Sequence, residues 1–268
     1  MNKLKIVFWS PLPGQSGTTS SMLAAAVMSS LELKKSIFLM HGHFLDRSLE
    51  KSFLGKNTGP DMFEDIGIDS LMRNIKISEL NEEIIHDSAI SLYNNRVHIL
   101  PGTTKGNRQQ FTTDSSAALP AIINSVNKFY DLVFVDSVPG PSEVFQKIRE
   151  EADLIVVTLT QNKNIIDDYF FKYHLPEEKT LYFIGRYNDR SCYNLANLER
   201  SYHSLKNRTA VIPYSVTFMD AVIDGKLMNY MVKNLVNCKG EEDQYFMRKV
   251  RKAVSLLFDG RLEAGEVL

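Results

Sequence analysis

The chain has 268 residues, with 31 Lys plus Arg against 32 Asp plus Glu. That near-zero balance excludes a global basic field for DNA or a membrane, so any such contact needs a local patch. A hydrophobic share of 44% supports a sizeable core in one large α/β domain or two small ones, while two distant cysteines, Cys192 and Cys238, exclude a disulfide framework and fit unpaired thiols in a reducing compartment.

An apolar run, Ile6 to Trp9, reads as a buried strand. A turn-rich loop with Pro11, Pro13, Gly14 and Gly17 follows, and a helix is expected over Ser20 to Leu33 with Met22, Leu23, Ala26, Val27 and Leu31 at helical spacing. Ser36 to Met40 is a second strand, ending in His41–Gly42–His43. Those two histidines share a strand face, but two ligands are too few for a metal, and they read as surface or supporting residues. A short helix is expected from Ile66, with Asp69 as a possible N-cap. Ile77 to Leu92 carries a helical pattern, Arg96 to Leu100 a short strand, and Thr103 to Ser116 reads as an exposed polar loop before a helix over Pro120 to Phe129.

Tyr130 to Asp136 is a buried strand running into an acidic residue, and Val138–Pro139–Gly140–Pro141 breaks the chain after it. A helix over Glu143 to Glu151, a strand over Asp153 to Leu159, a helix over Lys163 to Tyr173 and a strand over Lys179 to Tyr187 follow. A helix over Asn194 to Ser204, a strand over Thr209 to Pro213 and helices over Val216 to Asp224 and Gln244 to Phe258 complete the alternation. Most strands are continuously apolar, as in a parallel sheet covered on both faces. One doubly wound α/β domain over 1–268 is the economical reading, with Ile6 to Trp9, Val133 to Asp136 and Ile155 to Leu159 as adjoining central strands.

Strand, glycine loop, hydroxyl and helix, over Lys5 to Ala26, form the layout of a phosphate-binding loop. The glycines turn backbone N–H groups inward, and the helix N-terminus adds partial positive charge. The candidate nucleotide-binding residues are Gly14, Gln15, Ser16, Gly17, Thr18, Thr19 and Ser20. Thr19 offers a hydroxyl to Mg²⁺, and Asp136, at the end of a buried strand, is placed to hold a water on the same ion. The usual pattern ends G-K-[ST]; here Thr18 stands in the lysine position. The competing reading of Asp136 is a turn cap bonded within Ser137 to Gly140.

Together the opening loop, YDLVFVDSVPG, EEADLIVVTLTQ and IPYSVTFMDAVIDGKL resemble the MinD/ParA family of deviant P-loop ATPases, in order, over residues 3 to 235. GIDSLMRN, VHILPG and FIGRYND look most like its CpaE/TadZ-like branch, which positions pilus and secretion machinery. The resemblance implies a P-loop fold, ATP or ADP with Mg²⁺, Pro213 at the nucleotide, and protein partners in a membrane-associated assembly. The family's loop reads K-G-G-x-G-K-T-T; both lysines are replaced here, at Pro13 and Thr18. The first lysine reaches a partner's nucleotide, so a homodimer is expected not to depend on ATP. The family's D-x-D is His41–Gly42–His43, and its N-R-Y is Gly185–Arg186–Tyr187. These departures imply weak or no hydrolysis, with Asp136 the catalytic candidate should the site be active. A working ATPase would need another cation, such as Lys3, Lys5 or Lys163. A DNA-partition role is the further alternative, and the near-neutral charge counts against nucleic acid.

The last helix, Gln244 to Phe258, is amphipathic, with Arg248, Lys249, Arg251 and Lys252 opposite Met247, Val250, Ala253, Val254, Leu257 and Phe258. It reads as the last helix of the fold, its basic side a docking patch; the alternative is a membrane-surface helix. No signal peptide and no apolar run near 18 residues is seen, so a cytoplasmic location, with peripheral contact at the inner face of the membrane, is expected.

Overall fold

A computed structural model describes residues 3–56 and 59–259; the domain expected over 1–268 extends beyond them. Its strands are β1 (Leu4–Trp9), β2 (Ile37–His41), β3 (Ile90–Leu92), β4 (Val97–Ile99), β5 (Leu132–Asp136), β6 (Leu154–Leu159), β7 (Thr180–Tyr187) and β8 (Thr209–Pro213). They form one sheet in the order β3-β4-β2-β5-β1-β6-β7-β8. All pairings are parallel except β3 with β4. The three segments expected to adjoin at the centre of the sheet do so: Val7 stands opposite Val135 on one side and Ile155 on the other.

Alternation along β1 divides the core. Ile6 and Phe8 point to a layer with α1 (Thr18–Leu33), α2 (Ser48–Leu54), α9 (Val216–Ile223), α10 (Leu227–Val236) and α11 (Glu241–Phe258). Val7 and Trp9 point to the opposite layer, with α3 (Ile68–Asn74), α5 (Arg108–Val126), α6 (Glu143–Glu150), α7 (Lys163–Lys172) and α8 (Leu195–Ser201). Helix α1 is buried from Ser21 to Leu31 because α11 covers the side turned from the sheet, which explains its hydrophobic character all round. Trp9 is fully buried, with the Arg149 guanidinium 4.8 Å from its ring centre.

Three expectations fail and one helix is unexpected, each for a local reason. The segment 77–92 is not one helix: α4 (Glu82–Asp87) starts at Asn81, whose side chain accepts from Ile84 N, and ends before β3. Tyr93, Asn94 and Asn95, all at positive φ, then turn β3 back onto β4. The polar stretch before Pro120 is not a loop, because Asn107 caps α5 at Gln110 N and Phe111, Ser115, Ala118, Leu119, Ile122 and Val126 bury one face. Its hydroxyls fold back on the helix, Thr112 donating to Arg108 O and Thr113 to Gln109 O. Pro120 lies inside this helix. The cap of α3 is Gly67 (φ 81), not Asp69; the buried Asp69 carboxylate instead accepts from Thr103 Oγ1 (3.0 Å) and Thr104 N (2.9 Å). Helix α10 lacks a sequence expectation because Gly225 and a cap without a side-chain bond hide its start.

The apolar side of α11 is taken by the fold. Phe246, Met247, Val250, Ala253, Val254, Leu257 and Phe258 are buried in the layer shared with α1 and β8. This removes the membrane-surface reading for that side. Among the described residues no helix is long and apolar enough to cross a membrane.

Candidate nucleotide site

The parallel strands end together at one edge of the sheet, where an open α/β sheet places its ligand crevice. The loop from Ser10 to Gly17 leaves β1 at that edge. It reverses through Gly14 (φ 72) and Gly17 (φ 64), both left-handed, a conformation that penalises any residue with a Cβ. Buried Ser16 and Ser10 join through their hydroxyls at 2.8 Å. The segment after β5 is stapled to the same loop: Trp9 Nε1 donates to Gly140 O (3.1 Å), Gly140 N to Ser10 O (3.0 Å) and Ser137 N to Phe8 O (2.9 Å).

Helix α1 has Gly17 as its N-cap and no side-chain cap. Its first N–H groups are therefore left for a ligand or water, at the positive end of the helix dipole. They face a cavity of about 300 Å³ lined by Leu12, Pro13, Gly14, Gly17, Thr18, Thr19, Ser20, His43, Asp46, Asp136, Ser137, Pro139 and Arg186. Of the expected nucleotide residues, Gly14, Gly17, Thr18, Thr19 and Ser20 come together here. Gln15 points to solvent, Ser16 is buried in the loop's bond to Ser10, and Pro213 is buried at the end of β8 opposite Tyr187.

Thr19 Oγ1 donates to Asp136 Oδ2 at 2.5 Å, and Asp136 is 1% exposed. The strand-end aspartate therefore does not merely cap its own turn; it is tied to the first turn of α1. An adjacent hydroxyl and carboxylate are hard oxygen donors, the set that suits Mg²⁺ shared with phosphate oxygens. His43 Nε2 lies 3.6 Å from the same Asp136 oxygen. Burial opposes charge on His43, but the carboxylates of Asp136 and Asp46 outweigh it and hold the imidazole pKa above its ordinary value. Burial likewise opposes charge on Asp46; bonds from Ser48 and the charges of His43 and His41 prevail and hold its pKa below the usual range.

The two histidines part company. His41 is buried (3% exposed) with Nε2 3.3 Å from Glu50 Oε1, so it is not a surface residue. Glu50 also accepts from Gly102 N (2.6 Å), which anchors the chain after β4. Among the described residues no group of three or more His, Cys, Asp or Glu is placed to hold a metal.

The three lysines considered as outside cations are engaged elsewhere. Lys3 donates to Lys128 O, Lys5 to Asn124 Oδ1 (2.9 Å), and Lys163 pairs with Asp167. Arg186, at the end of β7, does line the cavity. Nothing local in the sequence singles it out, because that β7 ends beside the loop follows only from the strand order. On α11, Arg251 pairs with Glu32, while Arg248 and Lys249 lie 5.7 and 5.4 Å from the Tyr245 ring centre. Arg248, Arg251 and Lys252 remain exposed.

No protein-family model matches this chain, and no curated protein matches it. Solved structures do. A ParA family ATPase from Chlorobium tepidum superimposes with a TM-score of 0.70 at 14% identity, covering 93% of this chain and 98% of that one. The septum site-determining protein MinD from Pyrococcus horikoshii, complexed with Mg-ADP, gives 0.66 at 16% identity, covering 98% and 100%. A putative plasmid partition protein from Borrelia burgdorferi, bound to AMPPNP, gives 0.63 at 14% identity, covering 96% and 100%. The eight-stranded, mostly parallel sheet with helices on both faces is the MinD/ParA-type P-loop fold.

Proposed function

We propose that this protein binds a nucleotide in the cavity before α1, hydrolyses it weakly or not at all, and works by positioning or scaffolding a membrane-associated assembly, such as a pilus or secretion apparatus. The observation that carries the reading is the loop itself. Its left-handed glycines, its open helix N-terminus and the Thr19–Asp136 pair are present, while Thr18 and Pro13 stand where lysines would supply charge.

Gly14, Gly17, Thr18, Thr19 and Ser20 would cradle the phosphates, with Gln15 and Ser16 shaping the loop and Pro213 nearer the base. Thr19 and Asp136 would hold Mg²⁺, which when bound neutralises phosphate charge. Phosphoryl transfer depends on positioning and charge neutralisation more than on covalent help from the protein. Thr18 adds no charge at the phosphates, and His43 stands where the resemblance places a water-orienting carboxylate. The two similar nucleotide-bound structures, a septum site-determining protein and a putative partition protein, support a nucleotide and a positioning role. The CpaE/TadZ-like segments of the sequence are what favour a pilus or secretion assembly. The exposed basic residues of α11 would serve as the docking patch for a protein partner or for the inner face of the membrane.

Turnover is the test. Purified protein is expected to carry or bind ADP or ATP with Mg²⁺, yet to release phosphate no faster than its Asp136→Ala variant. Metal-dependent turnover in the wild type that disappears in Asp136→Ala would show a working ATPase and overturn the reading. Self-association gives an independent check. Pro13 cannot reach a partner's phosphate, so light scattering should give the same mass with and without ATP and Mg²⁺; a monomer that dimerises only with ATP would contradict this.

A further inference from the structure

We propose that Arg186 is the cation of the phosphate site, delivered by the end of β7 across Gly17 to hold the nucleotide phosphate that no loop lysine is present to hold. This rests on the nucleotide reading above and adds to it a residue and a specific contact.

Position comes first. The Arg186 side chain lies over the N-terminus of α1: its Cγ and Nε are 3.5 and 3.7 Å from the point where a Cβ on Gly17 would stand. Those are ordinary van der Waals distances, so the Arg186 stem packs directly over position 17, where the left-handed φ of 64 is what favours glycine. Arg186 shares the cavity with Gly14, Thr18, Thr19 and Asp136, and is the single lysine or arginine among the described residues that bound it.

The backbone is arranged to put it there. The β7–β8 register shifts between Ile184 and Tyr187, and Arg186 adopts φ 49, a left-handed conformation uncommon for a residue with a long side chain. Such a conformation costs free energy and persists only where surrounding contacts impose it; these sites cluster where ligands bind. The constraint is Gly185. A Cβ there would meet Ser16 O at 1.9 Å, so β7 lies directly against the phosphate loop. The bulge then turns the next side chain out of the sheet and over the loop.

Charge completes the case. The cavity presents two carboxylates, Asp136 and Asp46, and one imidazole whose near neighbour is Asp136. A phosphate entering such a site needs a cation from the protein. Arg186 is exposed, and among the described residues no carboxylate or carbonyl pairs with its guanidinium. Its planar fork of donors matches two phosphate oxygens at once.

The test is ADP titration, with and without Mg²⁺, into wild type, Arg186→Ala and Arg186→Lys, by calorimetry and by the fluorescence of Trp9, the chain's one tryptophan. Arg186→Ala is expected to bind ADP roughly ten- to a hundredfold more weakly, the worth of a charge-assisted hydrogen bond. Arg186→Lys should keep part of the affinity, and adding Thr18→Lys to Arg186→Ala should recover it. Arg190→Ala, in the turn after β7, should bind as wild type does. Arg186 is exposed, so the variants should melt within a few degrees of the wild type, which circular dichroism checks. Unchanged ADP affinity in Arg186→Ala, where the wild type binds, overturns the role of Arg186 and leaves the nucleotide reading standing. Wild type that binds no ADP, together with Thr18→Lys that binds none, removes both.

Discussion

Replacing Thr18 by lysine in the otherwise unchanged chain should raise affinity for ADP by roughly ten- to a hundredfold, because it adds one charge-assisted hydrogen bond to phosphate. Thr18 already bounds the cavity, one residue beyond the left-handed Gly17, so a longer side chain there starts at the phosphate loop. The backbone needs no change: Lys is a better helix former than Thr, and the first turn tolerates either. Asp136 and Asp46 face the added charge and favour it, while Arg186 and the N-terminus of α1 oppose it, so the gain comes from the phosphate that the lysine would contact. Hydrolysis should gain less than affinity. The lysine would add charge neutralisation, but His43 would still stand where the family resemblance places a water-orienting carboxylate. Calorimetry with ADP, beside phosphate release from ATP, separates the two effects. Unchanged affinity in a folded Thr18→Lys protein would mean that the loop does not cradle phosphate, whatever its shape.

The central architecture was legible because it depends on burial, and burial writes itself as unbroken apolar runs. Ile6 to Trp9, Val133 to Asp136 and Ile155 to Leu159 have water on neither face, so no polar alternation interrupts them. The periphery was less legible because local chemistry decides it. Asn81 and Asn107 each start a helix within stretches whose composition is mostly polar, and the Asn94–Asn95 turn makes a hairpin from two runs of three residues. In the site, the loop glycines and Asp136 declared themselves by order along the chain. Arg186 and His43 did not. Both reach the cavity because strands distant in sequence end at the same sheet edge: His41 sits opposite Asp136 in the β2–β5 register, and β7 abuts the loop through Gly185. A lone basic or imidazole residue after a strand carries no such information until the strand order is known.

The close approach at Gly185 leads to the second large effect. Gly185→Ala should destabilise the protein and cost it the phosphate cavity together. The new methyl carbon would stand 1.9 Å from Ser16 O, 3.1 Å from Ser16 C and 3.3 Å from Ser21 Oγ. Its nearest neighbour is backbone, which cannot rotate away as a side chain tip can. Either β7 withdraws from β6 and β8, or the loop from Ser10 to Gly17 moves. The loop is the weaker of the two, since the strand is held on both sides by ladder bonds. Displacing it strains the Ser10–Ser16 bond and carries Gly17 out from under Arg186. Overpacking of a filled site costs about 1–3 kcal/mol, so urea unfolding should show a loss of that order, and ADP affinity should fall with it. Gly106→Ala supplies the comparison: no atom lies within 4 Å of its added carbon, and its stability should stay within about 0.5 kcal/mol of wild type. The alanine at 185 acts through the strand-to-loop contact alone, because Gly185 has no positive φ to lose. A Gly185→Ala protein with wild-type stability and wild-type ADP affinity would mean that β7 and the phosphate loop are not in contact, and the placement of Arg186 would fall with that contact.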